Sequence, residues 1–133
     1  MSLATLRAEL EALLAPHLGT YVDVSGTPQR TVGPAFWQGA DVPAEYRVTG
    51  SGLEAVLNFA GFERSPSEYE DSGVQGTASY RLTLVMHARG GSVEEPLYVV
   101  LAAYPDAQPQ PLVPESDLNT EQIGVILTEH VSR

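Results

Sequence analysis

Cysteine and lysine are both missing from this chain. Without cysteine there is no disulfide scaffold, no thiolate nucleophile and no cysteine-ligated zinc, and the chain is compatible with a reducing cytosol. Without lysine, the positive charge rests on seven residues, all arginine, scattered singly from Arg7 to Arg133. Binding to a phosphate backbone by counterion release needs clustered basic side chains, so specific nucleic-acid binding is not expected. Long apolar runs are absent too, and none approaches the ~20 residues needed to cross a bilayer. The opening Met1, Ser2, Leu3 and Ala4 lead into an amphipathic, acid-bearing segment rather than a basic patch and an apolar core. That is not a signal-peptide pattern. A soluble protein with no membrane partner is expected.

What the chain does have is acid. Seventeen acidic residues against seven basic give a formal net charge of −10. Solubility is the first reading of that surface, and an acidic wall also lets DNA pass without sticking. The 133 residues, 43% of them hydrophobic, suit a single globular domain spanning 1–133 with one core.

The first element is a helix. Leu3, Leu6, Leu10, Leu13, Leu14 and His17 recur at spacings of three and four, with Arg7, Glu9 and Glu11 off the stripe. Ser2 is placed to cap it, and Pro16 disfavours helical geometry at Ala15, where the helix should stop. Residues 20–24 read as a short strand and 25–28 as a turn. Residues 31–37 read as one further strand, with Gly33 and Pro34 making it an edge or bulged strand. Residues 39–46 read as a connection. A better strand follows, with Leu53, Ala55, Leu57 and Phe59 on one side and Glu54, Val56 and Asn58 on the other.

Residues 61–77 are the most polar part of the chain and read as a solvated hairpin loop. A sharper reading makes this an arm reaching a neighbouring subunit, with Tyr69, Glu70, Asp71 and Val74 as contact residues. The clearest strand comes next: Ala78, Tyr80, Leu82, Leu84, Met86 and Ala88 face one way, and Ser79, Arg81, Thr83, Val85, His87 and Arg89 the other. Gly90 and Gly91 break it. Ser92 and Glu95 have capping-box spacing, and Leu97, Val100, Leu101 and Tyr104 form one helical face ended by Pro105. The proline-bearing stretch to residue 119 should run extended over the surface. The last strand places Ile123, Val125 and Leu127 opposite Gly124, Ile126, Thr128 and His130. The expected architecture is α+β, in the order α-β-β-β-β-α-β. It is a single mixed, mostly antiparallel sheet of about five strands with two helices packed on one face.

Chemistry-bearing residues converge poorly. His17, His87 and His130 belong to three elements and do not make a metal set. His87 and His130 could meet only if the last two strands ran parallel, and Glu129 points away from His130. No serine sits in a Gly-x-Ser-x-Gly turn, and Gly50, Ser51 and Gly52 lack the flanking strand and helix. The carboxylate groups Glu94/Glu95, Glu68/Glu70/Asp71 and Glu115/Asp117 are surface runs without apolar neighbours to raise a pKa. Gly90 and Gly91 before a helix could hold an anion, but Glu94 and Glu95 would repel one. Trp37 beside Phe36 reads as core rim or subunit contact. No catalytic residue, metal or cofactor is expected.

Several phrases in order carry a family likeness. They are the leucine helix with Leu18, Gly19, Thr20 and Tyr21; Pro34, Ala35, Phe36 and Trp37; Gly52, Leu53 and Glu54; Tyr80 through Leu84; Ala102, Ala103, Tyr104 and Pro105; and the final alternating strand. This arrangement resembles the tail terminator and related neck proteins of long-tailed bacteriophages and prophages. The resemblance implies a virion structural protein with no catalytic residues. It would form a ring, commonly of six copies, capping the tail tube and docking the head. Its partners would be copies of itself, the tail tube and head-completion proteins. It would reside in the virion and, during assembly, in the cytoplasm of the bacterial host. Two rival readings remain. One is a small α+β ligand-binding domain or cone-shaped pocket enzyme with Tyr80, Trp37 and His87 lining the pocket. The other is an interaction subunit from a bacterial operon unrelated to phage.

Overall fold

A computed structural model describes residues 2–49, 52–65, 73–87, 91–111 and 121–133. The element order is α1 (Leu3–Leu14), β1 (Thr20–Asp23), β2 (Arg30–Pro34), β3 (Phe36–Gln38), β4 (Tyr46–Thr49), β5 (Leu53–Arg64), β6 (Gln75–Met86), α2 (Glu94–Ala103), β7 (Gln108–Pro111) and β8 (Glu121–Ser132). Among the described residues the fold is α+β with two helices, and the strands form two sheets rather than the single sheet of about five expected. A three-stranded sheet runs β2-β1-β4, and a five-stranded one runs β3-β5-β6-β8-β7.

The core follows from period-two alternation in the long strands. Leu53, Ala55 and Leu57 of β5 lie opposite Met86, Leu84 and Leu82 of β6, and Leu84, Leu82 and Tyr80 lie opposite Ile123, Val125 and Leu127 of β8. Leu6, Leu10 and Leu14 of α1 and Val100 of α2 join the same buried cluster, so both helices cover this one face. Ser2 caps α1, its hydroxyl accepting from the Thr5 amide. Tyr104, just past α2, donates its hydroxyl to Glu9 of α1 at 2.8 Å and ties the helices together.

The run expected as one strand over 31–37 is divided between the sheets. Residues 30–34 belong to the small sheet and residues 36–38 pair in parallel with β5, while Ala35 sits fully buried at the step. Gly33 has φ +150°, a conformation glycine adopts freely, and Pro34 offers no amide to continue the first ladder. The stretch read as a connection over 39–46 ends in β4, an edge strand without a buried side chain. Its half-exposed pattern hides it from a search for alternating core residues.

The strand–helix–strand reading of the last third holds with a different partner strand. From β6 the chain passes through α2 into β7, and β8 then inserts antiparallel to both. Prolines 109 and 111 suit β7 because it is an outer strand of the sheet. Thr77 pairs with His130 and Met86 with Glu121, so His87 and His130 lie at opposite ends of the sheet. The parallel pairing that would have joined the two histidines is not formed.

The capping box at α2 is also not formed. Val93 is the residue before the helix and has no side-chain cap. Glu121 of β8 supplies the carboxylate instead, accepting from Ser92 Oγ at 3.1 Å and the Val93 amide at 3.2 Å, while the Glu94 amide donates to Ser92 Oγ.

Candidate functional site

Because Leu53, Ala55 and Leu57 face the core, Glu54 must face the other side of β5. There it meets the small sheet. The Tyr21 hydroxyl, from β1, donates to Glu54 Oε2 at 2.5 Å, and His87 Nε2, at the end of β6, lies 2.9 Å from Glu54 Oε1. An ionised carboxylate only accepts, so Nε2 carries the proton in that bond. Tyr21 is buried, and the Glu54 side chain is only 14% exposed. Around the trio, Tyr46 packs against Tyr21 at 5.7 Å between ring centroids and edge-on against Trp37 at 5.8 Å.

The electrostatics agree with a closed clasp. Burial pushes the Glu54 carboxyl up, but the hydrogen bonds from His87 and Tyr21 and the His87 charge together hold it below its ordinary value. Burial first, then the hydrogen bond to Glu54 and its charge, push the Tyr21 phenol far above its usual range. A phenol held protonated and a carboxylate held ionised keep the bond between them closed at neutral pH.

The backbone at this junction is equally close. Leu18 bridges to Leu53, the Gly19 amide donates to Leu53 O, and the Ala35 amide donates to Gly19 O. A Cβ on Gly52 would stand 2.1 Å from Gly19 Cα, so the crossing of the two segments requires glycine at position 52.

Among the described residues no serine or threonine hydroxyl hydrogen-bonds to His87, whose Nε2 is already engaged by Glu54. A cleft of about 620 Å³ runs along α1, lined by Ala8, Ala12 and Ala15 and by Gly19, Gly33 and Pro34. None of the trio lines it. Among the described residues no cluster of three or more histidines and carboxylates could hold a metal ion. Among them, too, no helix is long and apolar enough to cross a membrane.

The residues singled out in the sequence disperse. Tyr80 faces the helix side and His87 the other side, so they do not line one pocket with Trp37. Trp37 sits half-buried on the outer strand β3. His17 stays at the end of α1, its carbonyl accepting from Leu53. The N-terminus of α2 is already occupied by the Glu121 carboxylate, which leaves no room for an anion there. Of the contact residues, Val74 is 41% exposed and exchanges two backbone hydrogen bonds with Arg133. Tyr69, Glu70 and Asp71 lie outside the described residues, as do Ser51, Glu68, Glu115 and Asp117.

Sequence reasoning missed the clasp. Its one signal was an acid at position 54 between the core residues Leu53 and Ala55 at the start of β5, and its partners are 33 residues away on either side.

It also missed the exposed aromatics of the far end of the large sheet. Phe59 and Phe62 are 56% and 40% exposed. Both lie on the helix-side face, paired with Tyr80 and Ala78 across a bulge between Phe59 and Gly61. The Phe62 ring rests over Gly76, where a Cβ would be 2.5 Å from it.

No protein-family model matches the chain, and no curated protein or solved structure is significantly similar to it.

Proposed function

We propose that this chain is a phage-like virion structural protein, a tail terminator or neck component. Copies form a ring that caps the tail tube and joins it to the head. The observation that carries this reading is the far end of the large sheet. Phe59 and Phe62 on β5 and Val74 just before β6 stand exposed there, a surface suited to contact with protein rather than to chemistry. The site around Glu54 supports it in a second way, since its polar groups are spent on holding two sheets together. A net charge of −10 suits the wall of a DNA conduit. The partners are then other copies of the chain, the tail tube and head-completion proteins, with the protein in the virion and in the bacterial cytoplasm during assembly.

Native mass spectrometry and negative-stain imaging of the purified chain test this. The expected result is a closed ring whose mass is an integer multiple of 14.3 kDa and which binds the end of isolated tail tubes. A chain that stays monomeric at every concentration, both alone and with tubes, overturns it.

A small-ligand domain is the rival reading, favoured by the cleft along α1. It predicts a monomer whose melting temperature rises with an apolar ligand, a result that ring assembly does not require.

A further inference from the structure

The small sheet is joined to the rest of the fold along one line. Pro34, Thr20 and Thr49 form a single row across its three strands. There the chain enters β1 from α1, β2 steps through Ala35 into β3, and β4 leads on to β5. Just beyond that row the Gly19 amide donates to Leu53 O and the Ala35 amide to Gly19 O. At the opposite end residues 39–45 run back from β3 to β4. A tether of that length spans up to ~24 Å, enough to let that end lift.

Little else holds the small sheet down. Of all the residues in β1, β2 and β4 only Tyr21 is buried, and it lies outside the buried cluster shared by the helices and the large sheet. The cleft of about 620 Å³ lies between Ala8 and Ala12 of α1 and Gly33 and Pro34 of β2, so the helix does not clamp the sheet. Tyr21 stands one residue in from the joined row, and its hydroxyl bond to Glu54 crosses from one sheet to the other. The bond between His87 and Glu54 does not cross, since both belong to the large-sheet side. Tyr46 adds ring contacts to Tyr21 and, across the seam, to Trp37 of β3. A segment with so few buried apolar contacts opens at lower free energy than the core.

We propose that the small sheet is a flap hinged at the row of Pro34, Thr20 and Thr49, latched by Glu54 and released as a unit when that carboxylate takes up a proton, while the large sheet and the helices stay folded. Release uncovers the Trp37 ring and the Glu54 side of β5. A hydrogen bond to an ionised carboxylate is roughly twice as strong as one between neutral groups, so protonation favours opening by about tenfold.

The groups around Glu54 leave it as the switch. Its row neighbours on β6 and β8, Val85 and Gln122, carry no charge. Asp23, further along β1, accepts from Ser25, and Arg47 of β4 donates to the Ala44 and Tyr46 carbonyls. Burial pushes the Glu54 carboxyl up, but the bonds from His87 and Tyr21 hold it below its ordinary value. The flap is therefore closed at neutral pH and opens as the pH falls through that lower value. His87 keeps Glu54 ionised and so works against release.

Trp37 is the single tryptophan and sits at the seam, so its emission reports the flap directly. Protection factors from native-state hydrogen exchange, followed by NMR between pH 7 and pH 3, are compared with that emission. Protection in β1, β2 and β4 should fall together by about tenfold, in step with Trp37, while β6 and β8 keep theirs. Glu54→Gln should show the lowered protection in the small sheet at every pH, and His87→Ala should move the step to higher pH. Protection lost equally in both sheets means that acid unfolds the whole chain, and the flap is overturned. Small-sheet protection that holds while the Glu54 carboxyl carbon titrates, or a step that stays in place in His87→Ala, overturns the latch. The inference goes beyond the proposed function and concerns the single chain, so neither ring nor tail tube enters the measurement and the two readings stand or fall separately.

Discussion

At the scale of single residues, the most consequential group is the Glu54 carboxylate. It accepts from a buried phenol and a histidine at once, and both bonds link separate elements. A hydrogen bond to a charged group contributes about 1.5–3 kcal/mol, and leaving a buried partner unsatisfied costs about as much. Tyr21→Phe should therefore lower stability by about 1.5–3 kcal/mol in urea unfolding, with an unchanged dependence on denaturant. The pH dependence has a definite sign. The folded carboxyl titrates below its ordinary value, so it stabilises the fold above the unfolded pKa of about 4.3. That contribution drains away as pH falls through the lower folded value. Glu54→Gln has nothing to titrate at this position. Its melting temperature should be lower than wild type at pH 7, and the gap should narrow steadily from about pH 4.3 downward. Parallel melting curves for the two proteins between pH 7 and pH 3 would show that Glu54 is not held ionised by its partners.

At the scale of elements, the fold depends on where the chain changes sheets. Gly19 and Gly52 cross so closely that a side chain on Gly52 has no space, its nearest neighbours being backbone atoms that cannot swing aside. Gly52→Ala should cost at least the upper part of the ~1–3 kcal/mol typical of overpacking, and it should loosen β1 from β5. Hydrogen exchange would then rise first at the Gly19 and Leu53 amides. The start of α2 gives a sharper contrast. Glu121→Ala removes the carboxylate that accepts from Ser92 and Val93 and should cost about 1 kcal/mol, as losing a helix cap does. Glu95→Ala should cost much less. Equal losses from the two would restore the capping box that the spacing of Ser92 and Glu95 suggests.

The same elements show what could be read beforehand. The leucine stripe of α1 and the alternation in β5, β6 and β8 are set by local periodicity, and Leu6, Leu10, Leu14, Leu53, Ala55, Leu57, Leu82, Leu84, Val125 and Leu127 are buried as it predicts. Phe59, on the same face of β5, is exposed, and the loop expected over 61–77 is shortened by strand at 61–64 and 75–77. The split at Ala35, the insertion of β8 beside β6, and Glu121 at the head of α2 depend on partners distant in sequence. No local spacing encodes those. Of the clasp, only the lone acid at position 54 was visible, and it carries no label for Tyr21 or His87.

At the scale of the whole molecule, the acidic balance and the exposed Phe59 and Phe62 act against each other. Each copy carries a formal charge of −10, so bringing several together is opposed by mutual repulsion. In the proposed ring, burial of Phe59 and Phe62 favours assembly and depends little on salt. Exposed charge pairs between copies would weaken as salt rises, but such pairs contribute only about 0–1 kcal/mol each. The long-range repulsion is the larger salt-dependent effect, and it is screened once the Debye length falls from about 30 Å at 0.01 M to about 3 Å at 1 M. Sedimentation velocity at fixed protein concentration should therefore show the assembled fraction rising with sodium chloride over that range. Moving the pH from 7.5 towards the isoelectric point near 4.5 should act in the same direction at low salt, down to the pH where the loss of Glu54 ionisation weakens the subunit itself. Assembly that dissolves as salt is added would mean that charge pairs, and not the exposed Phe59 and Phe62, hold the copies together.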